Sequence, residues 1–236
     1  MRGVLPELLA LSANSPIFWG RATGLRSTRT QVFVRSFPRC GVPDAFRDWS
    51  EYRAFVELLE RTGSIREATQ IWWSIRPHHS YGTLEVRICD GQTEMGHGLA
   101  VTALALACIA RFCRAFDEGE PLPTLPNRLI EENLWRAIRW GIEGEMIDFG
   151  RGVVRPTAVA IEALLEWVDP VAGQLGLGPF LATVPRMLSD GNGAMAQLRT
   201  LAELGDLTAV HATVVERTRR SAEEVLRSFP VSEVAG

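Results

Sequence analysis

Several familiar nucleotide and nucleophile signatures are missing from this sequence. It contains no glycine-rich phosphate loop of the P-loop type, no G-x-G-x-x-G and no G-x-S-x-G. These absences exclude P-loop NTPases, Rossmann dinucleotide sites and the nucleophile elbow of the α/β-hydrolases. The glycines in LGLGPF and DGNGA fit helix ends and turns. A nucleotide site here would have to be built from strand side chains and metal ions.

Cysteine is scarce as well. Cys40, Cys89, Cys108 and Cys113 form no C-x-x-C pair and no disulfide framework, a pattern that fits buried thiols in a reducing cytoplasm. Charge of one sign is lacking: the formal net charge is -3, and carboxylates interleave the arginine clusters. That balance argues against a protein that works by neutralising nucleic-acid phosphates. The longest uncharged stretch, Gly98 to Ala110, is shorter than the roughly 20 residues of a membrane span. Glu7 interrupts the apolar start and no A-x-A-like site follows, so no signal peptide is expected. No internal repeat or low-complexity tract is present.

What remains is a chain of 236 residues with 46% apolar content, enough for one large core. Residues 5 to 12 read as a short helix whose Leu5, Leu8, Leu9 and Leu11 form an apolar face in need of a partner surface. Gln31 to Val34 is compatible with strand or helix. Residues 50 to 63 read as an amphipathic helix with Ser50 as N-cap and Tyr52, Phe55, Leu58 and Leu59 as its stripe, ended by Gly63. Ile71 to Ile75 reads as a strand that stops at Pro77, and Thr83 to Asp90 as a second strand. Glu94 to about Phe116 and Asn127 to Ile142 read as helices, and everything from Pro156 onward as more helices. Strands before residue 90 and helices after it predict an α+β architecture. We divide it into a catalytic region, 1–150, and a helical region of the same domain, 151–236.

The strand TLEVRICD carries the most informative local pattern. Alternation puts Leu84, Val86 and Ile88 on one face and Glu85, Arg87 and Cys89 on the other. If the polar face lines a pocket, Glu85 suits Mg²⁺ and the Arg87 fork suits phosphate oxygens. The competing reading is a cross-strand ion pair on a solvated sheet. Arg76, in IWWSIRP, ends a strand where ligand-facing side chains often lie, and Trp72 and Trp73 read as core. Arg21, Arg26 and Arg29 punctuate a Gly/Ser/Thr loop suited to phosphate or carboxylate contacts, or simply to solvent. His78 and His79 are adjacent and would face opposite ways in an extended segment, which disfavours a shared metal. His97 and His211 read as structural.

Four strings occur in a telling order: LLALSANSPIFWGRATGLRSTRTQVF, IWWSIRP, TLEVRICD and ENLWRAIRWGIEGEMIDF. Together they resemble the bacterial carboxylate–amine ligases of the glutamate–cysteine ligase 2 type, most strongly from Leu5 to Phe149. The resemblance implies a glutamine synthetase-like catalytic fold, with an antiparallel sheet curved around the active site and helices outside. It implies ATP- and Mg²⁺-dependent ligation of a carboxylate, typically the γ-carboxylate of glutamate, to an amine such as that of cysteine, through an acyl phosphate. By the same resemblance Glu85 is the metal ligand, Arg87 contacts phosphate, Arg29 lies near the reacting groups and Arg76 lines the active site. Asn133, Trp135 and Arg136 match a motif expected to be structural. Family members carry a glutamate-rich strand and a His-x-His segment ahead of LSANSP, and neither is in this sequence. Two expectations follow: a ligase that self-associates or takes a complementing N-terminal half, or a degenerate, non-catalytic subunit. Partners are small molecules (amino acids and ATP), with no nucleic acid and no membrane.

Overall fold

The computed structural model describes residues 1–78 and 80–228. After a 3-10 turn the chain forms α1 (Leu5–Ser12), β1 (Ile17–Phe18), β2 (Arg21–Ala22), α2 (Thr28–Ser36) and β3 (Cys40–Gly41). It continues through α3 (Trp49–Arg61), β4 (Trp72–Trp73), β5 (Ile75–His78), β6 (Thr83–Val86), α4 (Met95–Asp117) and α5 (Asn127–Trp140). A hairpin, β7 (Glu145–Asp148) and β8 (Val153–Pro156), precedes α6 (Thr157–Gln174), α7 (Gly178–Leu181), α8 (Val184–Asp190), α9 (Gly193–Leu204) and α10 (Leu207–Ser228).

The core forms around α1. Leu5, Leu8, Leu9 and Leu11 are fully buried, against α4, α5 and α6. Pro6 starts the helix at a position where its missing N–H costs nothing. The expectation of an exposed apolar α1 seeking an outside surface is therefore corrected: the chain's own helices cover it. Ile161, Leu164, Val168 and Val184 belong to the same core, which thus draws on residues from both sides of position 150.

α4 is the helix of greatest interest for burial. By length and hydropathy it is apolar enough to cross a membrane, with 44% of its apolar window buried inside the protein. Ala100, Ala103, Leu104, Ala107 and Cys108 face the core, where small side chains let α1 and α6 approach. Burial pushes the Cys108 thiol up to about 12. Of the four cysteines only Cys108 is fully buried, while Cys113 is exposed, which corrects the expectation of uniformly buried thiols.

The strands form four two-stranded pieces. β1–β2, β5–β6 and β7–β8 are antiparallel, and β3–β4 is parallel. β5 runs through Pro77 to His78, beyond the expected stop, because Pro77 pairs with Leu84 on one side only and no second neighbour needs its N–H. β6 ends at Val86, short of Asp90, since β5 supplies no partner past Ile75. The β7–β8 hairpin corrects the expectation of helices alone after residue 90. Gln31 to Val34 is helical, within α2.

The N-cap of α3 lies two residues earlier than expected. The Asp48 carboxylate, not Ser50, accepts from the Glu51 N–H at its N-terminus. Tyr52 and Val56 are buried against Ile65, Ile71 and Trp73, whereas Leu58 is exposed. Trp73 is core, packed on the Phe55 ring at 5.4 Å, and Trp72 is half-buried beside Phe37.

Candidate active site

The β5–β6 register sets Arg76 directly opposite Glu85. Arg76 is buried, and its Nε donates to Glu85 Oε2 at 2.5 Å. Its Nη1 donates to the Ile71 carbonyl at 2.7 Å and also to the Thr69 carbonyl. Arg87 Nη1 lies 3.7 Å from the same Glu85 oxygen, so the two-residue spacing does bring both side chains to one space. The hydrogen bond from Arg76 holds the Glu85 carboxyl below the usual carboxylate range, against the opposing effect of burial. Arg76 separates two openings. One is a 360 Å³ cleft lined by Arg53, Glu57, Glu60, Glu67 and His78. The other is a 660 Å³, largely apolar cavity lined by Phe46, Trp49, Tyr52, Trp73 and Phe112.

Arg29 comes to the neighbouring stretch of backbone. Its Nη2 donates to the Arg87 carbonyl at 3.2 Å and its Nη1 to the Ile88 carbonyl at 3.3 Å. Arg29 and Arg87 border one small crevice with Ser74 and Thr30. Both side chains are partly exposed, at 42% and 33%, although the Arg87 Nε is buried with no hydrogen-bond partner. Glu85 and Arg87 thus share one face of β6, and Arg29 joins it from α2 by gripping the Arg87 and Ile88 carbonyls; we refer to these three residues as one wall.

Asp90 is the residue that periodicity did not mark. It is buried, and its Oδ2 accepts from the Ser15 hydroxyl at 2.7 Å and the Asn14 N–H at 2.9 Å. Its Oδ1 accepts from the Ser27 hydroxyl at 3.0 Å and lies 3.7 Å from Arg29 Nη1. Asn14 in turn donates to the Gly91 carbonyl at 2.6 Å and to Thr93 Oγ1 at 3.0 Å. The only local signal was an acidic residue directly before Gly91 at the end of the alternating segment TLEVRICD.

Other named residues sit apart from this wall. Asn133 is buried and clasps Ile147, donating to its carbonyl at 2.9 Å and accepting from its N–H at 2.8 Å. Arg136 pairs with Glu132 at 3.2 Å, and Trp135 is exposed. Arg26 is held by Glu143 at 2.6 Å, and Arg21 is exposed. His78 stacks on Tyr81 with ring centroids 4.6 Å apart, while His79 lies outside the described residues. His97 pairs with Glu94 at 3.3 Å.

No cluster of three His, Cys, Asp or Glu side chains able to hold a metal occurs among the described residues. The donor set does not make a dedicated cage. Glu85 could offer a cation at most one carboxylate, since its Oε2 already accepts from Arg76 and faces Arg87.

The model of glutamate-cysteine ligase family 2 matches residues 1–220. The chain belongs to this family. A relative in Solibacter usitatus, named "Putative glutamate--cysteine ligase 2", is 44% identical over 217 residues, covering 92% of this chain and 56% of the relative. Relatives of the same name in Gloeobacter violaceus and Chloroflexus aurantiacus are 44% and 40% identical over 209 residues. These cover 88% and 89% of this chain and 55% and 53% of those proteins. The chain therefore spans about half the length of the curated family members it matches.

Proposed function

We propose that the Glu85–Arg87–Arg29 wall belongs to the site of an ATP- and Mg²⁺-dependent carboxylate–amine ligase within a glutamine synthetase-like fold. The observation that carries this reading is that two partly exposed arginines and one carboxylate adjoin at β6, Arg87 3.7 Å from Glu85 and Arg29 on the Arg87 carbonyl. In this reading Arg87 and Arg29 bind phosphoryl oxygens and neutralise charge as it builds on them. Glu85 supplies one carboxylate to the nucleotide's Mg²⁺, and Arg76 fixes the orientation of Glu85. ATP supplies the activation that a carboxylate lacks, turning it into an acyl phosphate that an amine attacks. The family's name supports glutamate as the acid and cysteine as the amine, and a cytoplasmic location is part of the same proposal.

The same proposal includes a partner, either a complementing polypeptide segment or a second copy of the chain. The apolar cavity beside Arg76 supports it. A second reading, a non-catalytic subunit, draws support from the commitment of Glu85 to Arg76. The experiment that separates them is ADP release by the purified chain with ATP, Mg²⁺, glutamate and cysteine. Amino-acid-dependent release that Glu85→Gln abolishes supports the ligase. Absence of release at every protein concentration, with or without a complementing segment, supports the non-catalytic subunit.

A further inference from the structure

We infer that Asp90 is a positioning residue that fixes Arg29 on the phosphate-facing wall, acting through Ser15 and through the first turn of α2. The inference rests on the ligase reading for what Arg29 contacts, although the geometry stands independently.

Three paths run from the Asp90 carboxylate to Arg29. Oδ1 faces the guanidinium itself, 3.7 Å from Nη1. Oδ2 accepts from Ser15 Oγ at 2.7 Å, and Ser15 Oγ accepts from the Arg29 backbone N–H at 3.0 Å. Oδ1 also accepts from Ser27 Oγ at 3.0 Å, and Ser27 is the N-cap of α2, the helix on which Arg29 is the second residue. A single buried carboxylate thereby holds the cap, the backbone and the side chain of one arginine. Its negative charge also sits at the positive end of α2, where a carboxylate is stabilising.

The cost of this arrangement points beyond simple packing. A buried ionised group is expensive unless it is fully hydrogen-bonded. Each partner of the Asp90 carboxylate lies in one of two segments, Asn14–Ser15 or the start of α2 from Ser27 to Arg29, and both lead to Arg29. Arg29 itself stays 42% exposed at its side chain, and with its two terminal nitrogens each donating to a single backbone carbonyl, the network fixes the fork in place while each nitrogen keeps a second N–H for a ligand.

Two measurements on the full chain test this. Arginine side-chain NMR compares wild type with Asp90→Asn and Ser15→Ala. Slowed rotation of the Arg29 guanidinium in wild type is expected, with averaging restored by Asp90→Asn at Arg29 and not at Arg76. Ser15→Ala is expected to shift the Arg29 backbone amide while leaving the fold intact. Unchanged Arg29 signals in Asp90→Asn overturn the inference whatever the chain binds. The second measurement is a double-mutant cycle on Mg·ATP affinity. Asp90→Asn and Arg29→Ala are each expected to weaken binding on the order of tenfold, and the double variant no more than either alone. Additive losses contradict positioning through Arg29. Failure of wild type to bind Mg·ATP refutes the ligase reading and leaves the NMR comparison to decide this one.

Discussion

Arg76 Nε and Glu85 Oε2 meet at 2.5 Å across the β5–β6 pair, and the two residues differ sharply in burial: 7% of the Arg76 side chain is exposed against 32% of Glu85. Removing the carboxylate strands a buried cation with only carbonyl partners. Glu85→Gln is therefore expected to lower stability at pH 7 by about 1–3 kcal/mol, the range for loss of a charge-assisted bond to a buried group. The folded-state carboxyl lies below its ordinary range. Its stabilisation is thus present above the unfolded carboxyl's range and disappears as pH falls through the folded value. Urea unfolding of both proteins at pH 7 and near pH 3 should show the gap closing in acid.

Glu7 makes the opposite case. Burial raises its carboxyl to about 7, with Arg155 opposing the shift, and its Oε2 has no hydrogen-bond partner. An acid whose folded value is raised binds its proton more tightly when folded, so stability falls as pH climbs from the unfolded value toward 7. Glu7→Gln is expected to be close to neutral at pH 5 and stabilising by about 1–3 kcal/mol at pH 8. Thermal unfolding across that window checks the sign.

Gly193, the first residue of α9, approaches Asn14 so closely that a Cβ would run into the Asn14 side-chain oxygen. That oxygen accepts from Gln197 Nε2 at 2.8 Å, and the same amide holds the Gly91 carbonyl. Gly193→Ala is expected to cost about 1–3 kcal/mol through overpacking. Differential scanning calorimetry should record a melting temperature lower by roughly 2–10 °C.

Leu8 is fully buried at the centre of the core that α1 shares with α4. Leu8→Ala is expected to cost about 2–5 kcal/mol. Chemical denaturation should show this as a lower midpoint with an unchanged slope.

How much of this was legible in the sequence depends on how far apart the interacting residues lie. Period-two alternation placed Glu85 and Arg87 together because that relation is local. The leucines of α1 were legible as a face, but their cover was not, since it comes from helices about 90 to 160 residues later. Asp90 was invisible for the same reason: its partners Asn14, Ser15 and Ser27 lie 63 to 76 positions earlier. The β7–β8 hairpin escaped because its strands, EMID and VVRP, set apolar residues side by side instead of alternating them, and Asn133, which pins Ile147, sits on the preceding helix. Leu58 read as part of a stripe, yet the second core is small: on α3 it buries Tyr52 and Val56, takes Phe55 and Leu59 at its edge and leaves Leu58 outside.

The central claim is that the Glu85–Arg87–Arg29 wall receives the phosphates of a nucleotide. An equilibrium titration of the chain with Mg·ATP, repeated on Arg87→Ala and Arg29→Ala, tests it most directly. Saturable binding that each substitution weakens by about tenfold or more is the predicted result. Absence of binding, or affinity that neither substitution changes, would contradict it.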